Sequence, residues 1–126
     1  MDDFVGVYYY KYLHKRHGIL NYLILKRDST YALVYTDASG KFINTGKWDY
    51  EEPKDWKPTL CFSDWKMFGK AKDVYDLRAR SVILYYDTPY CIEFNPDTDV
   101  DFWRVDSVEA ARLGIKEENV IWAVTQ

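Results

Sequence analysis

The first 48 residues consist of short runs in which apolar and polar positions alternate, separated by turn residues. Runs with the period of two that is typical of β-strands cover residues 4–13, 19–26, 30–36 and 41–48. The links between them are short, and short links make sequential strands pair antiparallel. The pattern therefore predicts a four-stranded meander, the N-terminal half of an up-and-down barrel.

The link between the third and fourth runs has the composition of a tight turn. The residues DASG at 37–40 favour such a turn because glycine adopts positive φ without strain. Gly46, inside the fourth run, indicates a bulge or a close approach of another backbone. Trp48 is expected to plug one barrel end or to cover the core. Hairpin construction thus accounts for residues 28–48, which indicate the architecture and not the function.

The second half of the chain is less regular. Residues 49–58 predict a polar loop, and residues 63–80 a loop with a short helical turn. One helix is well marked, because Asp106 suits the N-cap, Glu109 stands three positions later, and Gly114 suits the stop. Further strands are predicted at 59–62, 81–86, 90–94, 100–105 and 119–124.

These elements predict one all-β domain that spans residues 1–126. The expected architecture is an antiparallel up-and-down barrel, or a strongly curved sheet of about eight or nine strands, with one short helix near the C-terminus. An α+β roll with that helix packed on an open sheet is the alternative. The aromatic content of 18% supports the β assignment, since aromatic residues favour strands. Those rings either pack the core or line a binding surface.

Charge is distributed unevenly along the chain. The net charge of −3 argues against a nucleic-acid partner. Residues 1–27 carry five Lys and Arg against two acids, whereas residues 81–126 carry three against nine. The acidic third either faces a basic partner or is a solvated surface.

The sequence also bears on compartment and on cysteine chemistry. It does not open with a basic stretch followed by an apolar run, so we expect a cytoplasmic protein, exported only if a signal peptide was removed. No apolar run approaches the roughly 18 residues that a membrane span needs. Cys61 and Cys91 have no CxxC spacing, which predicts two reduced thiols. A disulfide between them stays open if the protein is exported.

Candidate chemistry is sparse. His14 and His17 lie in a basic segment without further ligands, which predicts an exposed turn rather than a zinc site, with an anion-binding patch as the alternative. Residues 95–101 alternate carboxylates but lack the glycine and glutamate of an EF-hand loop, so an Asp-rich turn is expected and a weak calcium site is the alternative. The sequence gives no sign of a catalytic residue, a metal or a cofactor. Glu93 is the best single candidate for a polar functional residue.

Three short motifs resemble those of calycin-like barrels, the group that includes lipocalins, fatty-acid-binding proteins and many bacterial domains. They are GVY at 6–8, DSTYAL at 28–33 and TGKW at 45–48. The resemblance covers residues 1–62 and implies a barrel. Lipocalins carry G-x-W on the first strand, whereas here it falls on the fourth. The resemblance transfers no functional residue, because the bacterial domains have no shared site.

The leading functional hypothesis is a non-catalytic protein-binding module, such as a cytosolic immunity or inhibitor protein that binds a basic toxin or enzyme. Its predicted partner-binding residues combine exposed rings with the acidic turn: Trp56, Trp65, Phe68, Asp97, Asp99, Asp101 and Trp103. The alternative is a lipocalin-like carrier of a small apolar ligand inside the barrel. Its predicted lining consists of Tyr8, Tyr22, Tyr31, Trp48 and Glu93. An enzyme with an unrecognised carboxylate site is the third hypothesis.

Overall fold

The structure, a computed structural model, describes residues 4–51, 59–74, 80–84, 91–93, 101–117 and 122. Within these ranges, eight strands follow one another: β1 Gly6–Tyr10, β2 Leu20–Leu25, β3 Thr30–Asp37, β4 Gly40–Glu51, β5 Thr59–Phe62, β6 Arg80–Leu84, β7 Cys91–Glu93 and β8 Asp101–Arg104. Three short helices accompany them: α1 Lys11–His17, α2 Gly69–Val74 and α3 Ser107–Leu113.

Each strand pairs antiparallel with the next, and β8 returns to pair with β1, so the strongly curved sheet closes into a barrel. The register of the first hairpins is regular, with Tyr8 opposite Leu23 and Leu33 opposite Asn44. The predicted fold class, an antiparallel up-and-down barrel with a short helix near the C-terminus, is confirmed. Among the described residues, no helix has the length and apolar character that a bilayer crossing requires.

Large side chains pack together in the described part of the barrel interior. One core cluster collects the inward-facing residues of the strands, among them Tyr8, Leu23, Leu33, Ile92 and Phe102, each 0–1% exposed. A hollow that admitted even one water molecule would leave exposed area on the side chains around it. These five side chains therefore border no such hollow, and the interior beside them is packed like a core.

A second apolar cluster lies on the outer face of β1, β2 and β3. Val7, Tyr22, Ile24 and Val34 belong to it and are buried against α3 and the residues that follow it, including Ile115. This explains why β2 and β3 are apolar almost throughout, since a strand covered on both faces has no polar face to present.

Helix α3 begins and ends as its sequence predicts. The Asp106 side chain accepts a hydrogen bond from the backbone N–H of Glu109 at 2.8 Å. Gly114 takes the left-handed conformation, φ 82°, and its N–H bonds to Ala111 O. Ala110 is buried at the centre of the contact with the sheet.

Helix α1 corrects two sequence predictions. Residues 4–13 were predicted to form a strand and residues 14–18 a polar turn, but the strand ends at Tyr10 and residues Lys11–His17 are helical. Leu13 is the one buried residue of this helix, and Gly18 ends it at φ 65°. Lys15 and Arg16, which lie in the last turn with His14 and His17, stabilise the negative end of the helix dipole.

Other boundaries differ less. β4 is longer than predicted and reaches Glu51, into the predicted loop. The helical turn predicted within residues 63–80 is α2. The strand predicted at residues 119–124 lies outside the described residues except for Trp122, which packs against the outer-face cluster.

The seam between β1 and β8 joins the two ends of the sheet. Tyr8 lies opposite Arg104, and Val105 N donates to Val7 O at 2.9 Å. The Arg104 guanidinium donates to Val5 O at 2.6 Å and lies against Gly6, where an added Cβ would come within 2.9 Å of Nε. The absence of a side chain at position 6 therefore lets Arg104 fasten the seam.

Candidate functional site

Strand β4 is paired on both sides over only part of its length. β3 pairs with all of residues 40–47, whereas β5 pairs with β4 only from Trp48 to Glu51. The last contact between β4 and β5 is made by Ser63, whose N–H donates to Lys47 O and whose Oγ accepts from Lys47 N, both at 2.8 Å. The chain then turns away from β4 at Asp64, which has a positive φ of 54°.

Gly46 allows this separation of the strands. The Ser63 carbonyl oxygen lies so close to Gly46 that an added Cβ would overlap it and would come within 2.8 Å of the Tyr31 ring. The same carbonyl accepts a hydrogen bond from the Tyr31 hydroxyl at 2.6 Å. The prediction that Gly46 marks a close backbone approach is thus confirmed.

The hydrogen-bond phase of the β3–β4 ladder shows which backbone groups face away from β3. Trp48 N donates to Ser29 O at 2.9 Å, which makes these two residues a hydrogen-bonded pair. Since such pairs recur at every second residue of an antiparallel ladder, residues 42, 44 and 46 bond to β3. The N–H and C=O groups of Lys41, Ile43 and Thr45 therefore point to the opposite side.

Among the described residues, none makes a hydrogen bond to those six backbone groups. Within the part of the chain that the structure describes, residues 41–45 thus form an open sheet edge, called here the β4 edge. Lys41, Ile43 and Thr45 are all exposed, and Ile43 is 53% exposed despite its large apolar side chain.

Aromatic rings lie on the other face of the β4 edge. Phe42 is 40% exposed and stacks on Phe68, with ring centroids 5.7 Å apart. The Lys66 ammonium group lies 5.5 Å from the Phe68 ring centroid, an arrangement typical of a cation–π contact. The Asn44 amide donates to Asp64 O at 3.0 Å and ties the segment after β5 beneath this face.

Two surface clefts flank the same region. The larger, about 540 Å³, lies between the end of α1, the end of β3 and the start of α2 and includes His17, Ser39 and Lys70. It also contains Asp37, whose carboxylate accepts hydrogen bonds from the Ser39 amide and hydroxyl at 2.8 and 2.6 Å. These hydrogen bonds lower the pKa of Asp37, so a negative charge stands in this cleft and weakens the anion-binding alternative for the basic segment.

The smaller cleft, about 350 Å³, lies beside the Gly46–Ser63 contact and is lined by Lys26, Lys47 and Asp64 among others. Tyr31 closes its inner side. Burial, opposed in part by a hydrogen bond from Asn44, raises the pKa of Tyr31 to about 12, so this hydroxyl remains a donor to Ser63 O at neutral pH.

The structure divides the predicted ligand-binding residues between the barrel interior and the outer face. Tyr8, Tyr31 and Trp48 belong to the interior core, and their polar atoms bond to backbone carbonyls of Phe4, Ser63 and Lys26 at 2.8, 2.6 and 2.9 Å. Tyr22 lies on the outer face, where its hydroxyl donates to Glu117 Oε1 at 2.5 Å. Glu93 is partly exposed and, as its alternation predicts, faces away from inward-pointing Ile92.

Those predicted partner-binding residues that the structure describes are also dispersed. Trp56, Asp97 and Asp99 lie outside the described residues. Trp65 packs on the Phe62 and Tyr31 rings at 4.9 and 5.5 Å between centroids and is half-buried. Trp103 is half-buried against the outer-face cluster, and Asp101 is partly buried at the start of β8.

Of the predicted residues that the structure describes, Phe68 contacts the β4 edge, through Phe42. Sequence reasoning missed Phe42 and Ile43. Their only sequence signal is an apolar pair, FI at 42–43, in a strand whose neighbouring positions are polar. This pair is a candidate binding surface because it lies beside the backbone groups of the β4 edge. Among the described residues those groups are unpaired because β5 ends before them, and no local sequence pattern predicts where β5 ends.

The chemistry of the described residues offers little beyond this surface. Within them, His, Cys, Asp and Glu form no group of three that could hold a metal ion. Cys61 and Cys91 are thiols on β5 and β7, which are separated by β6. They lie opposite different residues of β6, Arg80 and Leu84, so they are more than about 10 Å apart and too far for a disulfide. Burial, with the charges of Asp101 and Glu93, raises the pKa of Cys91 to about 12 and makes it a poor nucleophile.

Comparison with known proteins leaves the functional argument to this geometry, because no family model, no curated protein and no solved structure matches the chain.

Proposed function

We propose that the protein is a non-catalytic binding module that holds a protein partner on the β4 edge. The observation that carries the proposal is found in residues 41–45, where backbone groups without a hydrogen-bond partner among the described residues lie beside exposed Phe42 and Ile43. Natural sheets normally cover, charge or twist such an edge because it pairs readily with another chain. Exposed rings and aliphatic side chains supply the anchors that dominate binding energy.

A cytosolic immunity or inhibitor protein is the specific form of this proposal, because such proteins act by occupying a partner and need no catalytic group. A basic partner is expected to bind the acidic third of the chain, residues 81–126. Asp97 and Asp99 of this third lie outside the described residues. Around the β4 edge the exposed charges are mostly cationic. The two surfaces therefore suit partners, or partner segments, of opposite charge.

A kinship with calycin-like barrels belongs to the same proposal, and the sequential order of eight antiparallel strands supports it. The ligand-carrier alternative receives less support, because Tyr8, Leu23 and Phe102 are fully buried in a packed interior. An internal ligand would have to displace side chains such as these.

Site-specific photo-cross-linking tests the proposal. A benzophenone amino acid replaces Ile43 in one variant and Val108 in the other, since these residues are 53% and 54% exposed and Val108 lies on α3. Each variant is irradiated in cells of the native host, and the adducts are identified by mass spectrometry.

We expect a discrete protein adduct at position 43 that is absent at position 108. If position 43 gave no adduct, or the same set of adducts as position 108, the β4 edge would not be a partner surface.

A further inference from the structure

We propose that the β4 edge binds its partner by strand addition and that the added strand is an extended acidic segment. This inference rests on the proposed function, because it describes how the partner is held. In strand addition, backbone hydrogen bonds supply affinity while alternate side chains of the added segment supply specificity.

The backbone of the β4 edge fits this mode. The N–H and C=O groups of Lys41, Ile43 and Thr45 face away from β3, and together they offer three donors and three acceptors. One end of this stretch is limited by the turn before Gly40 and the other by the Ser63 contact with Lys47. A five-residue strand, about 17 Å long, is the segment that fits between these limits.

The side chains indicate an alternating partner sequence. A residue placed opposite Ile43 would share its outer face and would pack on its exposed aliphatic side chain. A residue placed opposite Phe42 would point to the other face, towards the stacked rings of Phe42 and Phe68. Apolar residues are therefore favoured at two adjacent central positions, one for each face.

The charges around the β4 edge indicate an acidic segment. Four exposed lysines lie on β4 or on the segment after β5: Lys41, Lys47, Lys66 and Lys70. Three exposed or partly exposed carboxylates lie nearby: Asp37, Asp49 and Asp64. Asp37 is engaged with Ser39 in the hairpin turn, and Asp49 lies beyond Lys47, on the part of β4 that pairs with β5. Glutamates that flank the apolar centre of an added strand would meet this cationic surround.

A second copy of the chain is the less favourable occupant. Antiparallel self-pairing of two β4 edges would bring the lysines of both copies to one interface. Like charges across a strand pair destabilise it.

The probe is a fluorescein-labelled peptide of sequence Glu-Thr-Val-Ile-Glu-Glu, with a control peptide in which lysine replaces each glutamate. Fluorescence anisotropy measures binding to the intact protein. We expect the acidic peptide to bind at least about tenfold more tightly than the lysine peptide, and high salt to reduce the difference. The amide NMR signals of Lys41, Ile43 and Thr45 should shift on binding more than those of residues 42 and 44, because their N–H groups become donors.

Ile43→Pro tests the backbone contribution. Proline removes the N–H of residue 43, which faces the open edge, and leaves the β3 ladder intact. Ile43→Thr is the matched control, because it shortens the apolar side chain and keeps the N–H. We expect Ile43→Pro to weaken peptide binding about tenfold or more and Ile43→Thr about threefold. If Ile43→Pro failed to fold by circular dichroism, Thr45→Pro would serve in its place.

The outcomes separate this inference from the proposed function. If cross-linking at position 43 captured a partner but neither peptide bound and Ile43→Pro left the capture unchanged, strand addition would be wrong while the binding module would stand. If neither peptide bound and position 43 gave no adduct, both would fall. If the protein dimerised in sedimentation, Ile43→Pro made it monomeric and neither peptide bound, the occupant would be a second copy and the acidic segment would be wrong.

Discussion

Val34 and Ile43 lie directly opposite each other in the β3–β4 ladder and point to the same outer face, yet their surroundings differ completely. Val34 is 1% exposed and belongs to the cluster beneath α3, whereas Ile43 is 53% exposed. The cover on the outer face, to which α3 and the residues after it contribute, therefore ends between two adjacent strands. Both residues are β-branched and aliphatic, but Val34 stabilises the fold whereas Ile43 is available to a partner.

The strands on each side of the boundary differ in the same way. β3 is buried from Tyr31 to Tyr35 without interruption, while β4 from Lys41 to Lys47 is exposed or partly exposed throughout. A continuous apolar strand thus marks the part of the sheet that the chain covers itself. An alternating strand with an isolated apolar pair marks the part that it leaves open.

The most demanding test of this comparison places the same charge on both members of the pair. Val34→Asp buries a carboxylate beneath α3 and should lower the free energy of unfolding by about 4 kcal/mol or more. Ile43→Asp places it in water and should change stability by less than about 0.5 kcal/mol. Urea denaturation measures both values. Similar losses for the two variants would show that position 43 is covered after all.

The second test concerns the point where β4 changes from paired to open. Gly46→Ala would drive a methyl group into the Ser63 carbonyl and the Tyr31 ring, and we expect a loss of about 2–3 kcal/mol. Gly114→Ala is the matched control, because an added Cβ there meets nothing within 4 Å and only the positive φ opposes it. It should cost about 1 kcal/mol. Thermal and urea unfolding measure both losses. Equal losses for the two variants would show that the close approach of Ser63 to Gly46 does not limit the side chain at position 46.

The smallest expected effect concerns the pH dependence of stability that two tyrosines of the outer-face cluster cause. Burial, together with the hydrogen bond and charge of Glu117, raises the pKa of Tyr22 well above its ordinary value of 10.0. Burial and Glu109 likewise raise the pKa of Tyr9. The folded protein therefore keeps these protons at a pH where the unfolded chain loses them. Their contribution to stability is complete below pH 10 and declines as pH rises above 10 towards the folded pKa values.

We expect Tyr22→Phe to cost about 1–2 kcal/mol at neutral pH, because it leaves the Glu117 carboxylate without its donor. It should also make the fall in stability above pH 10 less steep, by up to about 1.4 kcal/mol per pH unit. Glu117→Gln keeps an acceptor and removes the charge, so an intermediate slope is expected. Urea midpoints measured from neutral to alkaline pH test this, and a slope unchanged in Tyr22→Phe would contradict it.

Local signals were sufficient to predict the barrel and helix α3. Alternation and short links specify the meander, and the Asp106 cap with the Gly114 stop specifies the helix, because each signal acts within a few residues. Helix α1 was not predicted because it lacks such local signals. Its N-cap Tyr10 makes no side-chain cap bond, its first turn has no acidic residue, and its aromatic start favours a strand. Leu13, buried beneath it, stabilises it through a tertiary contact.

The candidate site could not be predicted locally. Because residues 28–48 have the composition of an ordinary hairpin, they were predicted to indicate the architecture and not the function. The edge is open because Ser63 bonds to Lys47 and Asp64 then turns away, sixteen or more positions later in the chain. A sequence pattern specifies which residues form a strand but not how far a neighbouring strand follows it.

The seam between β1 and β8 has a consequence for the order in which the barrel assembles. Every other ladder joins strands that are consecutive in the chain, whereas the Arg104 bond to Val5 spans 99 positions. Closing so long a loop costs entropy before any contact compensates for it, and such contacts slow folding. The open meander should therefore form early and closure late. The guanidinium that reaches Val5 through the space left by Gly6 is then one of the last groups to find its place.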